Sequence, residues 1–431
     1  MTQPAKTAST KTASTGSGSN GVGTTGAGAS GGETSGAPTK ASAAEPAKRP
    51  KPKGFDFMVM LAIGFVMAEL GVRLIGLEPT VYPPHRMLET ADKRHGLECY
   101  SEPVASGLDV VDLRDMGVFA SAVEHGFSEE QLYGAIDGGV PHCVTFVYNA
   151  QTRRDVEFRI DPRVRSVLVL GDSFTEGAGV PEDEVFPRLL ERTLQRELRA
   201  TERAGALAQL EAPAVKVWNA GRRGADQPDL AESTTRFVEL TNPELVVYAF
   251  VLNDFEQTEA YAAQQEYLND LVMDRQRTGN PSWKLPAWLR WSAFVRAFAA
   301  RRRMAEESER TLAWYRGMTG SDNAEGWERT QRDLRAMRDA VEGDGRRRFL
   351  VAILPLLVGT GDAYPFHELH EELLRFCEEA SIRCVDLRDA FDGVDPSTLH
   401  VHPVDMHPNG RAHERIARAL ESPVLELLEA R

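Results

Sequence analysis

The sequence predicts an α/β protein built on a parallel sheet with helices on both faces. Two observations carry that expectation. The first is the apolar run Val167-Leu-Val-Leu170, which leads straight into Gly171-Asp172-Ser173. A short unbroken apolar run closed by glycine reads as a buried parallel strand ending in a sharp turn. The second is the alternation that follows. Strand-like runs at 166–171, 215–219, 245–251, 347–354 and 382–386 are separated by helical patterns near 183–200, 227–240, 256–273, 325–342, 366–380 and 409–420. Strands interleaved with helices are the signature of βαβ units.

The chain has 431 residues, more than one ordinary domain needs, and a hydrophobic content of 42% supplies a core. Its formal net charge of −14 excludes a nucleic-acid binder that works by overall electrostatics. The four cysteines, Cys99, Cys143, Cys377 and Cys384, show no Cys-x-x-Cys spacing, which argues against a zinc knuckle. An even number fits two disulfides in an exported domain. Sequence order suggests Cys99–Cys143 and Cys377–Cys384, although three pairings exist and four reduced thiols are the other reading.

Taken in order, residues 1–54 open as a Thr/Ser/Ala/Gly-rich tail with no apolar period, read as disordered, and end in the basic cluster Lys48-Arg-Pro-Lys-Pro-Lys53. Residues 55–77 form the one strongly apolar segment, uncharged from Phe57 to Ala68 and carrying Glu69 and Arg73 at helical pairing distance. It reads as an uncleaved transmembrane signal anchor; a cleaved signal or a buried helix are the alternatives. The basic cluster before it puts the tail in the cytoplasm, and the rest of the chain outside, at the periplasm or cell surface. Residues 78–165 read as a β-rich lead-in, with half-buried strands at Val144–Tyr148 and Val156–Ile160. Residues 274–324, with Trp283, Trp288 and Trp291 followed by Arg301-Arg-Arg303, read as a mostly helical insertion that covers a site or rests on a membrane surface, or equally as a helical excursion stabilised by buried Trp.

Four separated segments fit one chemistry. Ser173 stands at the end of the first strand, where open α/β sheets bind ligands. Asn219-Ala-Gly-Arg-Arg-Gly224 follows the second strand, and Gly224 or its rival Gly221 offers a backbone N–H. Asn253, in Val251-Leu-Asn-Asp254, offers a side-chain N–H to a developing oxyanion. His407, in Asp405-Met-His-Pro-Asn409, offers a base, with Asp405 to hold its tautomer. A serine hydroxyl needs such a base to become a nucleophile. The plainer readings are a helix cap at Ser173, turn residues at Asn253 and Asp254, and a metal site among His400, His402, His407 and His413.

These four segments resemble the blocks of the SGNH (GDSL-like) hydrolase superfamily, over about residues 166–421. The tethered apolar segment and Asn149–Asp155 add a looser likeness to its membrane-anchored bacterial members. The resemblance implies a three-layer α/β/α flavodoxin-like fold (residues 166–431). It implies Ser173 as nucleophile, His407 as base, and an oxyanion hole of Ser173 N–H, Gly224 and Asn253. No metal or cofactor is expected, because His402, Asp405 and His407 lack the tight helical spacing of zinc motifs. The chain departs from the family at Val251, where a glycine is usual, and at Asp405, two residues before His407 and not three. If Asp405 does not serve, a backbone carbonyl could hold His407 in a dyad.

The function expected is a serine esterase that acts outside the cytoplasm on O-acyl groups of cell-envelope carbohydrate or on lipid esters. Two alternatives stand beside it. One is an O-acyltransferase that uses the same site on an extracytoplasmic polysaccharide, with a membrane acyltransferase as partner. The other is a catalytically silent carbohydrate-binding or assembly protein.

Overall fold

Apolar residues in successive pairs along a strand face opposite ways, so a strand that is apolar throughout needs a layer on each side. The computed structural model, which describes residues 54–77, 86–103, 122–124, 127–128, 139–204, 214–264, 285–403 and 405–429, supplies both layers. Strands β4 (Val164–Gly171), β5 (Ala214–Asn219), β6 (Leu245–Val251), β7 (Arg348–Leu354) and β8 (Arg383–Asp386) form a parallel sheet in the order β5-β4-β6-β7-β8. Val167, Val169, Val247 and Ala249 pack on one face with Phe186, Leu190, Ile416 and Leu420. Leu168, Leu170, Val246 and Tyr248 pack on the other with Leu230, Phe237, Leu334 and Leu373.

The first of those layers is thus made by helices α3 (Phe186–Ala204) and α8 (Gly410–Glu429), after a four-residue helix α2 (Ser173–Glu176). The second is made by α4 (Gln227–Thr241), α6 (Ala324–Glu342) and α7 (His367–Glu379). Local sequence sets these boundaries. Asp226 caps α4 by accepting from the Asp229 amide, Pro228 lies in its first turn, and Asn242 ends it in the left-handed conformation.

Ahead of the parallel sheet, β1 (Arg86–Glu89), β2 (His95–Pro103) and β3 (Gly139–Val147) form an antiparallel sheet in sequence order. Cys99 and Cys143 are directly paired across β2 and β3 and are joined by a disulfide. The second disulfide, Cys377–Cys384, ties α7 to β8. Both pairings are those suggested by sequence order.

One expected strand does not form. Residues 156–160 run as irregular chain, because only Phe158 of the alternating set finds the core, edge-on to Trp218 and Phe237. Val156 and Ile160 are left exposed at 57% and 54%, and among the described residues no neighbouring strand takes up the backbone. The helix expected over 256–273 starts at 259, and its part beyond 264 lies outside the described residues. The tail up to residue 53 lies outside them too. The apolar segment is helix α1 (Gly54–Ile75), with a mean hydropathy of 2.0 over its apolar window and length enough to cross a bilayer. Helix α5 (Ala293–Arg316) occupies the described part of the expected insertion.

Candidate active site

The order β5-β4-β6 places a topological switch point between β4 and β6, the crevice in which doubly wound sheets bind ligands. The segments leaving both strands carry site residues. Ser173 is the first residue of α2 and does not cap it. Asp172 does, accepting from the Phe174 amide at 2.9 Å, which leaves the serine hydroxyl available. Asn253 lies in the single turn of 3-10 helix after β6, and its Nδ2 donates to the other carboxylate oxygen of Asp172 at 3.0 Å. A primary amide has two N–H donors, so one remains for another acceptor.

His407 comes to Ser173 from 234 residues away, with its Nε2 at 2.9 Å from the serine Oγ. Its Nδ1 lies 2.5 Å from Asp405 Oδ1, which also accepts the His407 backbone N–H at 3.0 Å. The two-residue spacing works because in β10 (Asp405–Pro408), paired with β9 (His400–His402) across a register irregularity, exposed Met406 separates two half-buried side chains, Asp405 and His407. Residues i and i+2 of a strand share a face. With Nδ1 protonated toward Asp405, Nε2 presents its lone pair to the hydroxyl proton.

Burial pushes the Asp405 carboxyl upward, but the hydrogen bonds and charge of His407 outweigh it and hold the group well below the usual carboxylate range. Burial likewise opposes charge on His407, and Asp405 more than offsets it, raising the imidazole above its ordinary value. Asp254 is different. Burial, with Asp172 nearby, lifts it well above the carboxylate range, and it accepts from the Tyr248 hydroxyl and the Val251 amide. Asp254 therefore builds the turn, as Asn253 presents its amide. Val251, the departure from glycine, ends β6 fully buried in the core.

The two glycines of the second segment separate. A Cβ on Gly221 would stand 2.4 Å from the Glu176 amide nitrogen and 2.6 Å from the Thr175 carbonyl carbon, so glycine is needed there for close packing on α2. Its amide is taken by Asn219 Oδ1 at 2.9 Å. Gly224 has φ +68°, open space where a Cβ would go, and an amide with no acceptor among the described residues. The structure brings Ser173, His407 and Asp405 together and links Asn253 to the residue before Ser173; it leaves Gly224 on an exposed turn.

A further layer went unread in the sequence. The Tyr100 hydroxyl lies 2.7 Å from Asp405 Oδ2 and 3.0 Å from Glu98 Oε1. Glu98 is buried, held by the Arg223 guanidinium at 3.0 and 2.9 Å and by the Gly179 amide at 2.9 Å. Tyr100 has one proton to give, and the shorter contact assigns it to Asp405. The antiparallel sheet thus orients the triad carboxylate. The only cue in sequence is that Glu98 and Tyr100 flank Cys99 and so face away from the disulfide.

The Asn149–Asp155 loop ties the site's loops together. Arg154 donates to the Gly177 and Val180 carbonyls at 2.5 and 2.6 Å, and Arg153 to the Ala220 carbonyl at 3.0 Å. Asp155 accepts the Asn219 amide at 2.7 Å and pairs with Arg188. Among the described residues no group of three or more His, Cys, Asp or Glu is placed to hold a metal ion.

Fold and side chains together define an α/β protein with a Ser-His-Asp triad at its switch point. No protein-family model matches the chain, and no curated protein matches it. Solved structures do. The chain is similar to a member of the lipolytic protein G-D-S-L family from Veillonella parvula, at 10% identity over 60% of this chain and 97% of that one, with a TM-score of 0.30. It is similar to the psychrotrophic esterase EstA from Pseudoalteromonas at 13% identity, 61% and 98% coverage and TM-score 0.33. A mutant of the acetyl-xylooligosaccharide esterase Axe2 from Geobacillus matches at 15% identity, 59% and 92% coverage and TM-score 0.34. The chemistry rests on the side chains themselves and not on these likenesses.

Proposed function

We propose that the chain is a serine esterase of the SGNH type that cleaves O-acyl esters through an acyl-serine intermediate. The observation that carries this is the continuous hydrogen-bonded line from Ser173 Oγ through His407 to Asp405. Ser173 Oγ attacks the ester carbonyl as His407 Nε2 takes its proton, and Asp405 stabilises the imidazolium. The tetrahedral oxyanion is met by the Ser173 amide and by Asn253 Nδ2, with the Gly224 amide, which has no acceptor among the described residues, proposed from the sequence as the third donor. His407 returns the proton to the leaving alkoxide. Water, deprotonated by the same imidazole, then releases the acid.

The catalytic domain is proposed to work outside the cytoplasm, tethered by α1, on acylated envelope carbohydrate or lipid esters. Support comes from the apolar length of α1, the basic cluster before it, and two disulfides, which belong to oxidising compartments. The full chain in detergent should turn over a short-chain p-nitrophenyl ester, and Ser173→Ala should abolish that turnover. Equal rates in the two proteins would refute the assignment. A single burst of p-nitrophenol without turnover would instead favour transfer to a sugar hydroxyl.

A further inference from the structure

Glu69 lies in α1 six residues before its end at Ile75, about 9 Å along the axis at 1.5 Å per residue. A carboxylate there needs partners, and a distant segment provides them. Glu69 accepts from the Ser292 hydroxyl at 2.7 Å and from the Ala293 and Phe294 amides, each at 2.9 Å, so it occupies the N-terminus of α5. Arg73 donates to Glu69 at 2.8 Å and to the Trp291 carbonyl at 2.9 Å. Phe65 of α1 meets the rings of Trp291 and Phe294 edge-on at 6.2 and 6.0 Å. This seam fixes the 285–304 segment to the side of α1 at a set depth.

That segment presents large apolar groups outward. Trp288, Trp291 and Phe298 are exposed at 72%, 61% and 61%. Its charge is equally one-sided. Residues 285–304 contain Arg290, Arg296, Arg301, Arg302 and Arg303 and no acid, in a chain of net charge −14; Arg302 and Arg303 pair with Glu306 and Glu307 of the next turn. Tryptophans beside arginines, anchored at Glu69 and Arg73 where the uncharged run from Phe57 to Ala68 ends, and through Phe65 about one turn inside that run, match the composition of the bilayer interface. Anionic headgroups complement the net positive charge of residues 285–304.

We infer that residues 285–304 form a second membrane contact, an interfacial elbow that beds Trp288 and Trp291 into an anionic lipid surface beside α1. The inference rests on the reading of α1 as a membrane span. The elbow would limit how the catalytic domain tilts on its tether and so fix the height of Ser173 above the lipid.

The test uses the full chain reconstituted into phosphatidylcholine vesicles containing phosphatidylglycerol, with and without brominated acyl chains. Brominated lipid is expected to quench the tryptophan emission of the wild type. The quenched part should fall by more than half in W288F/W291F, with circular dichroism unchanged. A chain that resists carbonate extraction but shows the same quenching in both proteins keeps its span and overturns the elbow. So does one in which Trp288 and Trp291 are shielded by a second protein and not by lipid. A chain released by carbonate overturns the span reading and the elbow with it.

Discussion

At the residue scale, His407 is poised by a carboxylate two positions away that has its own support from another sheet. The raised imidazole sets the pH dependence. A general base must be neutral, so kcat/KM should rise with pH through a midpoint above the ordinary histidine value of 6.5. Asp405→Asn should lower kcat by about 10³- to 10⁴-fold, because the wrong tautomer then faces Ser173. Steady-state rates across pH check both, and a midpoint below 6.5 would contradict the geometry. Asn253→Ala should lower kcat by about 10²- to 10³-fold if its free N–H meets the oxyanion. Tyr100→Phe leaves Asp405 in place but unguided. It should reduce kcat per active site, counted by titration with an active-site probe, on the order of tenfold, whereas loss of folded protein would lower only the number of sites. Ser173, Asn253 and His407 were legible because each sits in a short segment beside a strand. Tyr100 was not, since 305 residues separate it from Asp405 and no local pattern marks the contact.

At the element scale, the parallel strands announce themselves. A strand covered on both faces is apolar at every position, and β6 is buried throughout its seven residues. The lead-in was harder to read. Alternation at 156–160 predicted a strand, yet alternation records only which side chains meet the core, and here Phe158 alone does so. The β2–β3 disulfide ties an element that the active site leans on. Its 44-residue separation implies a loss of about 2–4 kcal/mol for Cys99→Ser. Because β2 carries Glu98 and Tyr100, the same variant should lose activity before it unfolds. Chemical denaturation and ester turnover measured on one sample check this. Full activity in a destabilised C99S protein would show that β2 serves stability alone.

At the scale of the whole molecule, stability and activity draw on the His407–Asp405 pair in opposite directions. The raised His407 contributes stability that is fully present below its unfolded value of 6.5 and is lost as pH rises through its folded value. The depressed Asp405 contributes stability present above its unfolded value of 3.8 and lost as pH falls through its lower folded value. The Tm gap between wild type and Asp405→Asn should therefore be widest between about pH 4 and 6.5 and should narrow above that, where catalysis is fastest. Thermal melts at several pH values check it, and a gap that widens toward alkaline pH would contradict it.

The central claim is that Ser173 is the acylated residue. The most direct measurement treats the full chain with a fluorophosphonate probe and locates the adduct by peptide mass spectrometry. One adduct on the peptide bearing Ser173 is expected, absent from Ser173→Ala and strongly slowed in His407→Ala. A well-folded wild type that stays unlabelled, or that carries its adduct on another residue, would contradict the account.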